Sequence, residues 1–301
     1  MSIPCVTFVV ASYNYEKYLP QTLESLVEQW EEKEPFEILI VDDGSSDNSL
    51  TIANDFSYKY PFIRVVTHNN HRNLGLIATL KLAVNEISSG WIAFLESDDL
   101  SKTGAVREII NTIKEGTAGL FFFDIEPLTE KSDSLAWFNS YVPRVRNLML
   151  SRGANKFGIN LGCDILWENL IPTFSCAVVK ASLLKQCSFD CPVNGWIDWF
   201  IWIQVTQKTK VRFIDKKLVQ WRLHTDSQNN KKKFWTYIYQ YSAFRNSVLQ
   251  MLRQMDIESK ASKIAFLELP SAIPLGMRIL KMARYVGIKQ VIKQIYRRLT
   301  R

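Results

Sequence analysis

The chain has 301 residues, of which 47% are hydrophobic, and its formal net charge is +7. This length and composition support a sizeable core in one or two domains. No uninterrupted apolar stretch approaches the ~20 residues that a membrane-spanning helix needs, and no N-terminal targeting signal is visible. The five cysteines follow no disulfide or zinc pattern, which favours a reducing compartment, so we expect a cytoplasmic protein.

Apolar, β-branched runs alternate with helical patterns along the first third of the chain. The predicted elements are strands at 5–11, 36–41, 63–66 and 91–95, with helices at 19–31, 49–58 and 76–87. Strands that alternate with helices are typical of a parallel sheet covered by helices on both faces. The sequence therefore predicts an α/β fold in which the carboxyl ends of these strands share one edge, where ligands bind in such sheets.

Polar side chains follow three of these strands at the point where each strand ends. They are Ser12-Tyr13-Asn14, Asp42-Asp43-Gly44-Ser45 and Glu96-Ser97-Asp98-Asp99. Each cluster alone is compatible with a solvated turn, but three such clusters at one sheet edge favour a binding site. Carboxylates held side by side repel one another, and hard divalent cations such as Mg²⁺ or Mn²⁺ prefer oxygen ligands of this kind. We therefore expect a cation at the last cluster.

Several short motifs together resemble the inverting family 2 glycosyltransferases, whose nucleotide-sugar domain has the GT-A fold. The main motifs lie at residues 9–14, 40–47, 69–75, 94–99, 171–173, 195–199 and 221–224. The resemblance covers about residues 1–228, with a nucleotide-sugar-binding half over 1–120 and an acceptor-binding half over 121–228. It implies a mostly parallel, Rossmann-like sheet flanked by helices, and a reaction in which a nucleotide sugar is the donor.

The resemblance assigns the donor nucleotide to loops at this sheet edge. It implies that Tyr13 stacks on the base and that Asp42 hydrogen-bonds the uracil or ribose, which favours UDP and leaves dTDP and GDP open. Arg72 suits the diphosphate, although covering the acidic strand ends is an equal alternative. The full set of implied donor-binding residues is Ser12, Tyr13, Asn14, Asp42, Asp43, Arg72, Asn73, Glu96 and Ser97.

The family's Asp-x-Asp position is occupied here by Glu96-Ser97-Asp98. The resemblance implies that Asp98 binds Mn²⁺ or Mg²⁺ and bridges the ion to the donor diphosphate. Asp99 would either support Asp98 without touching the ion or act as another ligand, and His224 would contact the metal or the diphosphate. Glu96 departs from the commoner Asp, so its contact with ribose or metal is left open. His68 lies in a loop without paired carboxylates at ligand spacing, and we expect it on the surface.

Asp198 resembles the catalytic carboxylate of the family. As a general base it would take the proton of an acceptor hydroxyl while that oxygen attacks the anomeric carbon, and one displacement would invert that centre. Ile197 replaces the Glu that precedes the base in the family, and a carboxylate that only serves a helix N-terminus is the alternative interpretation. Trp196 and Trp199 would stack on an acceptor sugar, or they would pack in the core.

The charge is distributed unevenly along the chain. Residues 1–130 carry 9 Lys and Arg against 20 Asp and Glu, whereas residues 131–301 carry 28 against 10. We expect a helical basic extension over residues 229–301, with an aromatic-rich helix at about 231–255. Its last segment, from Gly276, has the pattern of helices that lie on an anionic bilayer, with packing on its own domain or on a dimer partner as the alternative. Nucleic acid is disfavoured as a partner because the acidic half would repel it.

Together these features predict an inverting, metal-dependent glycosyltransferase that extends a glycan or a lipid-linked acceptor. The predicted context is cell-surface polysaccharide biosynthesis, with the protein peripheral at the inner face of the cell membrane. The unusual Glu96 and Ile197 keep open a catalytically silent binding or scaffold subunit of a glycan-assembly complex. A processive synthase is disfavoured, because neither a membrane span nor a Gln-x-x-Arg-Trp motif is found.

Overall fold

The computed structural model of the chain describes residues 5–31, 36–129, 134–162, 164–223 and 234–255. The strands in these ranges are β1 Val6–Ser12, β2 Glu37–Asp42, β3 Ile63–Thr67, β4 Trp91–Phe94, β5 Leu100–Ser101, β6 Leu120–Thr129, β7 Ala177–Lys180 and β8 Val211–Leu223. The α-helices are α1 Leu19–Val27, α2 Ser49–Lys59, α3 Leu76–Glu86, α4 Ala105–Glu115, α5 Ser134–Ser151, α6 Asp164–Trp167, α7 Ala181–Leu184, α8 Ile197–Lys208 and α9 Phe234–Gln254. Short 3-10 helices lie at Asn69–His71, Phe174–Cys176 and Asn194–Trp196.

The described strands form one sheet in the order β3-β2-β1-β4-β7-β6-β8-β5. β1 lies parallel to both β2 and β4, and β2 lies parallel to β3. β7 is antiparallel to β4 and to β6, β8 is parallel to β6, and β5 is antiparallel to β8. The predicted parallel arrangement is therefore confirmed for β1 to β4, and the later strands make the sheet mixed.

The central strands are apolar because they are covered on both faces. In β1 every residue except Ala11 is buried, and in β2 every residue except Glu37 is buried. Strands that are covered on both faces have continuous apolar sequences rather than alternating apolar and polar residues. α1 buries Leu19, Leu23 and Leu26 at helical spacing, and the removal of such side chains from water drives the packing of helix on sheet.

The predicted end of the first helix at Glu31 is wrong, because α1 ends at Val27. Trp30 continues the apolar spacing of the helix in the sequence. In the structure its indole instead stacks on the ring of Phe62, with 4.8 Å between centroids and 11° between planes. A tertiary aromatic contact therefore takes the place of the last helical turn. The helices α2 and α3 begin where the sequence predicts and end within a residue of the predicted positions.

The chain divides into two compact units. One comprises Met1–Phe189 and Trp196–Thr225, and the other comprises Asp190–Gly195 and Asp226–Arg301. The sheet belongs to the first unit. The second contains α9, which covers most of the aromatic-rich helix that the sequence predicts. The predicted boundaries at residues 120 and 228 stay predictions, and the basic segment from Gly276 lies outside the described residues. No helix in the described ranges is both long enough and apolar enough to cross a bilayer.

Candidate active site

The carboxyl ends of β1, β2 and β4 lie side by side at one edge of the sheet. Ser12 is in register with Asp42, and Val9 is in register with Phe94. The main-chain N–H of Asp43 donates to the carbonyl oxygen of Ser12 at 2.9 Å, which joins two of the strand ends beyond the regular ladder. The structure therefore brings together the polar strand ends that the sequence predicts at a common edge.

The turn after β1 presents one exposed aromatic ring. Tyr13 is 44% exposed, whereas Ser12 is buried and its hydroxyl has no hydrogen-bond partner among the described residues. Asn14 has a φ of 58°, and its carboxamide oxygen accepts from the N–H of Ser46 at 2.8 Å. The N–H of Asn14 donates to Ser45 Oγ at 3.0 Å. Asn14 therefore holds two loops together, while the ring of Tyr13 faces solvent and the hydroxyl of Ser12 is enclosed.

The adjacent carboxylates at the end of β2 support different loops. Asp42 is buried and accepts from the N–H of Ser45 at 2.9 Å and from its hydroxyl at 2.5 Å. Asp43 is also buried and accepts from the N–H groups of Leu74 at 2.8 Å and Gly75 at 2.9 Å, at the start of α3. A carboxylate in that position satisfies donors that a helix N-terminus leaves unpaired. Asp43 therefore fixes the loop that leads into α3.

This loop packs directly on the turn after β2. Gly44 has a φ of +72°, and a Cβ there would lie 2.6 Å from main-chain atoms of Arg72 and Asn73. Glycine is the residue that tolerates both this conformation and this close approach. The side chains of Arg72 and Asn73 are exposed, which places both at the rim of the polar edge.

The expectation that His68 lies on the surface is wrong. Its ring is 8% exposed, and Nε2 lies 3.1 Å from Thr79 Oγ1 and 3.4 Å from Asp43 Oδ1. The partners come from α3 and from the end of β2, so the local loop sequence gives no sign of this enclosure. His68 therefore packs beneath the loop rather than at the solvent boundary.

Of the two roles that the resemblance implies for Asp99, its contacts fit support of Asp98 rather than direct contact with a metal. The side chain is fully buried, Oδ1 accepts from the N–H of Arg222 at 2.8 Å, and Oδ2 accepts from Ser175 Oγ at 2.6 Å. Burial raises the pKa of this carboxyl well above its usual range, and repulsion from Asp98 and Glu96 adds to the shift. The two oxygens of Asp99 thus join Ser175, in the 3-10 helix Phe174–Cys176, and Arg222, on β8, to the end of β4. We omit Asp99 from the candidate metal ligands.

Glu96 faces the segment that precedes β7. Its Oε2 accepts from Thr173 Oγ1 at 2.5 Å, and its N–H donates to Ser175 Oγ at 2.9 Å. Desolvation raises the pKa of Glu96 to about 7, repulsion from Asp98 and Asp198 adds to the shift, and the Thr173 hydrogen bond opposes it. Asn169, four residues before Thr173, donates to Asp198 Oδ2 at 2.8 Å, so the same segment contacts Glu96 and Asp198.

Asp98 is partly exposed, and its main-chain carbonyl oxygen accepts from Arg222 Nε at 2.7 Å. In the described ranges no group of three or more His, Cys, Asp or Glu side chains could hold a metal ion. Mg²⁺ usually takes one or two carboxylates and completes its shell with waters and substrate phosphates. Asp98 beside Glu96 fits a cation shared with a phosphate rather than a cage made by protein alone. His224, the other predicted contact, lies outside the described residues.

Asp198 lies in the first turn of α8 and is partly exposed. Its Oδ2 accepts from Asn169 Nδ2 at 2.8 Å. A helix N-terminus favours a charged carboxylate, which is the structural role that the sequence left as an alternative. A partly exposed, charged carboxylate is also what proton abstraction from a hydroxyl requires. The geometry is therefore compatible with Asp198 as a general base.

The tryptophans on either side of this carboxylate differ in exposure. Trp199 is 4% exposed, and its Nε1 donates to the carbonyl oxygen of Ile165 at 2.5 Å, so its ring packs in the core. Trp196 is partly exposed, and its ring centroid lies 6.2 Å from that of Trp199. The core packing that the sequence left as an alternative applies to Trp199, and contact with an acceptor stays a prediction for Trp196.

Several residues of this edge had no role assigned from the sequence. Thr173 and Arg222 belong to motifs of the resemblance, which mark the positions but not their partners. Tyr15 follows the motif at the end of β1, and desolvation together with the charges of Asp98, Glu96 and Asp99 raises the pKa of its phenol above the usual range. The phenol therefore feels the charge of these carboxylates, and no pattern in the sequence predicts this environment.

A mostly parallel sheet whose adjacent strand ends gather carboxylates defines a protein of the GT-A class. Residues 7–187 match the family model described as glycosyl transferase family 2. The chain therefore belongs to glycosyl transferase family 2, and it is classed with transferase enzymes.

Curated relatives agree with this membership. An uncharacterized glycosyltransferase of Haemophilus influenzae is 28% identical over 73% of this chain and 66% of its own length. An undecaprenyl-phosphate 4-deoxy-4-formamido-L-arabinose transferase of Serratia proteamaculans is 26% identical over 52% of this chain and 47% of its own length. A poly(ribitol-phosphate) beta-glucosyltransferase of Bacillus spizizenii is 29% identical over 63% of this chain and 27% of its own length. The chain thus spans less than two thirds of the length of these relatives.

Solved structures confirm the predicted GT-A fold. Residues 1–349 of S. aureus TarS, in complex with UDP-GlcNAc, superpose with a TM-score of 0.65 at 17% identity, over 85% of this chain and 69% of that chain. The mannosyltransferase PcManGT of Pyrobaculum calidifontis, in complex with GDP-Man and Mn²⁺, has a TM-score of 0.59 at 13% identity, over 99% of this chain and 80% of that chain.

Proposed function

We propose that this chain transfers a sugar from a nucleotide sugar, with a UDP-sugar favoured, to a hydroxyl of a glycan or a lipid-linked acceptor, with inversion at the anomeric carbon. One observation carries the proposal. Asp198 and Glu96 accept hydrogen bonds from one short segment, through Asn169 Nδ2 at 2.8 Å and Thr173 Oγ1 at 2.5 Å, so the candidate base lies near the carboxylates that follow β4. Relatives whose names specify undecaprenyl phosphate and poly(ribitol phosphate) support this class of acceptor.

The proposed reaction is a single displacement. The acceptor oxygen attacks the anomeric carbon while Asp198 takes the proton of that hydroxyl. The bond that forms joins the acceptor oxygen to the anomeric carbon, and the bond that breaks joins this carbon to the diphosphate, so that the nucleoside diphosphate leaves. Attack opposite the leaving group inverts the centre. A positioned general base of this kind contributes about 10²- to 10⁴-fold to a rate.

The donor would bind at the loops after β1 and β2. The exposed ring of Tyr13 suits stacking on the base, and the adjacent Ser12 stays a predicted donor-binding residue although its hydroxyl is buried. Arg72 at the rim could donate to the diphosphate. Asp42 and Asp43 would act here chiefly by fixing the loops around the nucleotide, since both accept hydrogen bonds from the protein.

Asp98 is the proposed protein ligand of Mn²⁺ or Mg²⁺, with Glu96 beside it, and His224 stays a predicted contact. When bound, the cation would neutralise charge on the leaving diphosphate. A neighbour of the same fold that was solved with GDP-Man and Mn²⁺ supports this assignment. The contribution of the chain itself is to hold Asp98 at the strand end through Arg222 and Asp99.

The proposal extends to the place of the reaction. A protein peripheral at the inner face of the cell membrane, in cell-surface polysaccharide biosynthesis, would meet a lipid-linked acceptor where its sugar nucleotide is available. The excess of Lys and Arg over residues 131–301 supports contact with anionic lipid through the basic C-terminal extension.

The test combines a donor screen with removal of the base. Thermal shifts of the full chain with UDP-GlcNAc, UDP-glucose, dTDP-glucose and GDP-mannose, with and without Mn²⁺, identify the donor. Release of nucleoside diphosphate is then measured with water or poly(ribitol phosphate) as the acceptor, because both offer a hydroxyl proton for the base to remove. We expect Asp198→Asn to bind the donor normally and to lose at least about 10² in turnover. Undiminished turnover would remove Asp198 as the base, and donor binding without any turnover by the wild type would favour the silent subunit.

A further inference from the structure

A single short segment donates a hydrogen bond to three carboxylates of the candidate site. We call residues 169–175 the bridging segment. Asn169 Nδ2 donates to Asp198 Oδ2 at 2.8 Å, and Thr173 Oγ1 donates to Glu96 Oε2 at 2.5 Å. The segment thus contacts both the proposed base and the carboxylates that follow β4, which lie about a hundred residues apart in sequence.

The third donor of the bridging segment is Ser175. Its Oγ donates to Asp99 Oδ2 at 2.6 Å and accepts from the N–H of Glu96 at 2.9 Å. Pro172 restricts the residue before it to an extended conformation, and the side chain of Thr173 accepts from the N–H of Ser175. These local constraints leave the segment little freedom, so the two groups of carboxylates are held at a fixed separation.

The orientation of the Asn169 carboxamide is set by its other contacts. Its Oδ1 accepts from the N–H of Ile171 at 3.2 Å, so Nδ2 is the atom that faces the carboxylate of Asp198. The reverse orientation would place an amide oxygen against a carboxylate oxygen and pair two acceptors. The main-chain carbonyl of Asn169 also accepts from the hydroxyl of the buried Tyr141, which fixes the main chain at Asn169.

We propose that Asn169 is a positioning residue for Asp198, an inference that rests on the proposed function. The hydrogen bond fixes the plane of the Asp198 carboxylate and favours its charged form, which is the form that accepts a proton. A base must lie within hydrogen-bond reach of the hydroxyl in the reacting complex, and a misplacement of about 1 Å can cost about 10² in rate. Asn169 therefore acts on the proton-transfer step and leaves donor binding to other residues.

Two variants of Asn169 separate this role from folding. Asn169→Asp keeps the size of the side chain and an oxygen for the N–H of Ile171, but it replaces the donor to Asp198 with an acceptor. Asn169→Ala removes both contacts. Asn160→Ala is the matched control, since Asn160 Oδ1 accepts from the N–H of Gly162 at 2.8 Å in a similar turn and the residue has no predicted role in the site.

The experiment measures kcat and KM for donor turnover by the full chain, with the best donor of the panel above, together with the Kd of UDP in Mn²⁺ and the melting temperature. We expect both Asn169 variants to lose about 10- to 10²-fold in kcat, with KM for the donor and Kd for UDP within about threefold of the wild type. Asn160→Ala should keep its kcat.

Each contrary outcome has a distinct meaning. A kcat within about threefold of the wild type in a folded Asn169 variant would overturn the positioning role while leaving Asp198→Asn, and hence the proposed function, unaffected. Loss of folding or of UDP binding in both Asn169 variants would also overturn it, because the residue would then serve the fold. A wild type without turnover would overturn both proposals together.

Discussion

Arg222 Nε donates to the main-chain carbonyl oxygen of Asp98 at 2.7 Å, and the N–H of Arg222 donates to Asp99 Oδ1 at 2.8 Å. The guanidinium also donates to Gln21 Oε1 at 2.9 Å and lies 4.8 Å from the centroid of the Tyr18 ring. One buried side chain therefore ties β8 and α1 to the strand end that carries the candidate metal ligand. Arg222 therefore fixes the main chain at Asp98 and the side chain of Asp99 together.

Arg222→Lys should weaken the site although the charge is kept. A lysine has no planar fork, so it cannot reach the carbonyl of Asp98 and the amide of Gln21 together. We expect the free energy of unfolding to fall by about 2 kcal/mol and the Mn²⁺-dependent affinity for UDP to fall with it, as measured by denaturation and calorimetry. Arg107→Lys, in an exposed pair with Glu31, is the control and should change stability by less than about 1 kcal/mol.

Asp98→Asn and Asp99→Asn should differ in which property they impair, Mn²⁺-dependent UDP binding or stability. We expect Asp98→Asn to keep its stability and to lose the Mn²⁺-dependent part of UDP binding, because the charged, partly exposed carboxylate is the proposed ligand. Asp99→Asn should keep the Mn²⁺ dependence and lower the melting temperature, because an amide can accept at one atom only and would disturb the contacts with Arg222 and Ser175. Calorimetric titration of UDP with and without Mn²⁺, beside thermal denaturation, distinguishes the two. An Mn²⁺ effect that vanished in Asp99→Asn alone would reverse the assignment.

The nucleotide-sugar half of the fold could be predicted because its signals are local. Each of β1, β2 and β4 is an apolar run that ends in polar residues, and parallel pairing brings those ends together. The early end of α1 could not be predicted, since Trp30 leaves the helical pattern to stack on Phe62, which comes much later in the chain. The same reason explains the enclosure of His68 by groups from two other elements.

The candidate site was predictable as residue types but not as a network of contacts. The sequence identifies Asp98 and Asp198 through motifs. For Asp99, which is adjacent to Asp98 and chemically identical to it, the sequence leaves open a supporting role or a direct metal contact. Their different burial arises from Ser175 and from Arg222 on β8, which a strand-end pattern does not contain. Hydrogen bonds between distant segments therefore decide which carboxylate is structural.

Gly44→Ala should destabilise the protein through a backbone collision. The position combines a φ of +72° with main-chain atoms of Arg72 and Asn73 at 2.6 Å from a new Cβ, so the loop before α3 must move. We expect a loss of about 3 kcal/mol in the free energy of unfolding, measured by denaturant titration. Gly116→Ala is the matched control, because its φ is +65° and nothing lies within 4 Å of the new Cβ. It should cost about 1 kcal/mol from conformation alone. If the two variants lost the same free energy of unfolding, the close approach of the two loops would contribute nothing to stability.

Tyr13 should contribute to donor affinity through its ring and not through its hydroxyl. The side chain is 44% exposed and follows the end of β1, so its removal creates no cavity and should leave the melting temperature unchanged. Stacking of a base on an aromatic ring contributes about 1–3 kcal/mol, so Tyr13→Ala should weaken UDP binding by roughly tenfold or more, whereas Tyr13→Phe should bind within about twofold of the wild type. Tyr58→Ala is the control, because Tyr58 is 97% exposed on α2 and has no predicted role in the site. Calorimetry with UDP and with ribose 5-phosphate separates the base from the sugar phosphate. If Tyr13→Ala lost affinity for both ligands equally, the ring would act by shaping the loop, and stacking on the base would be excluded.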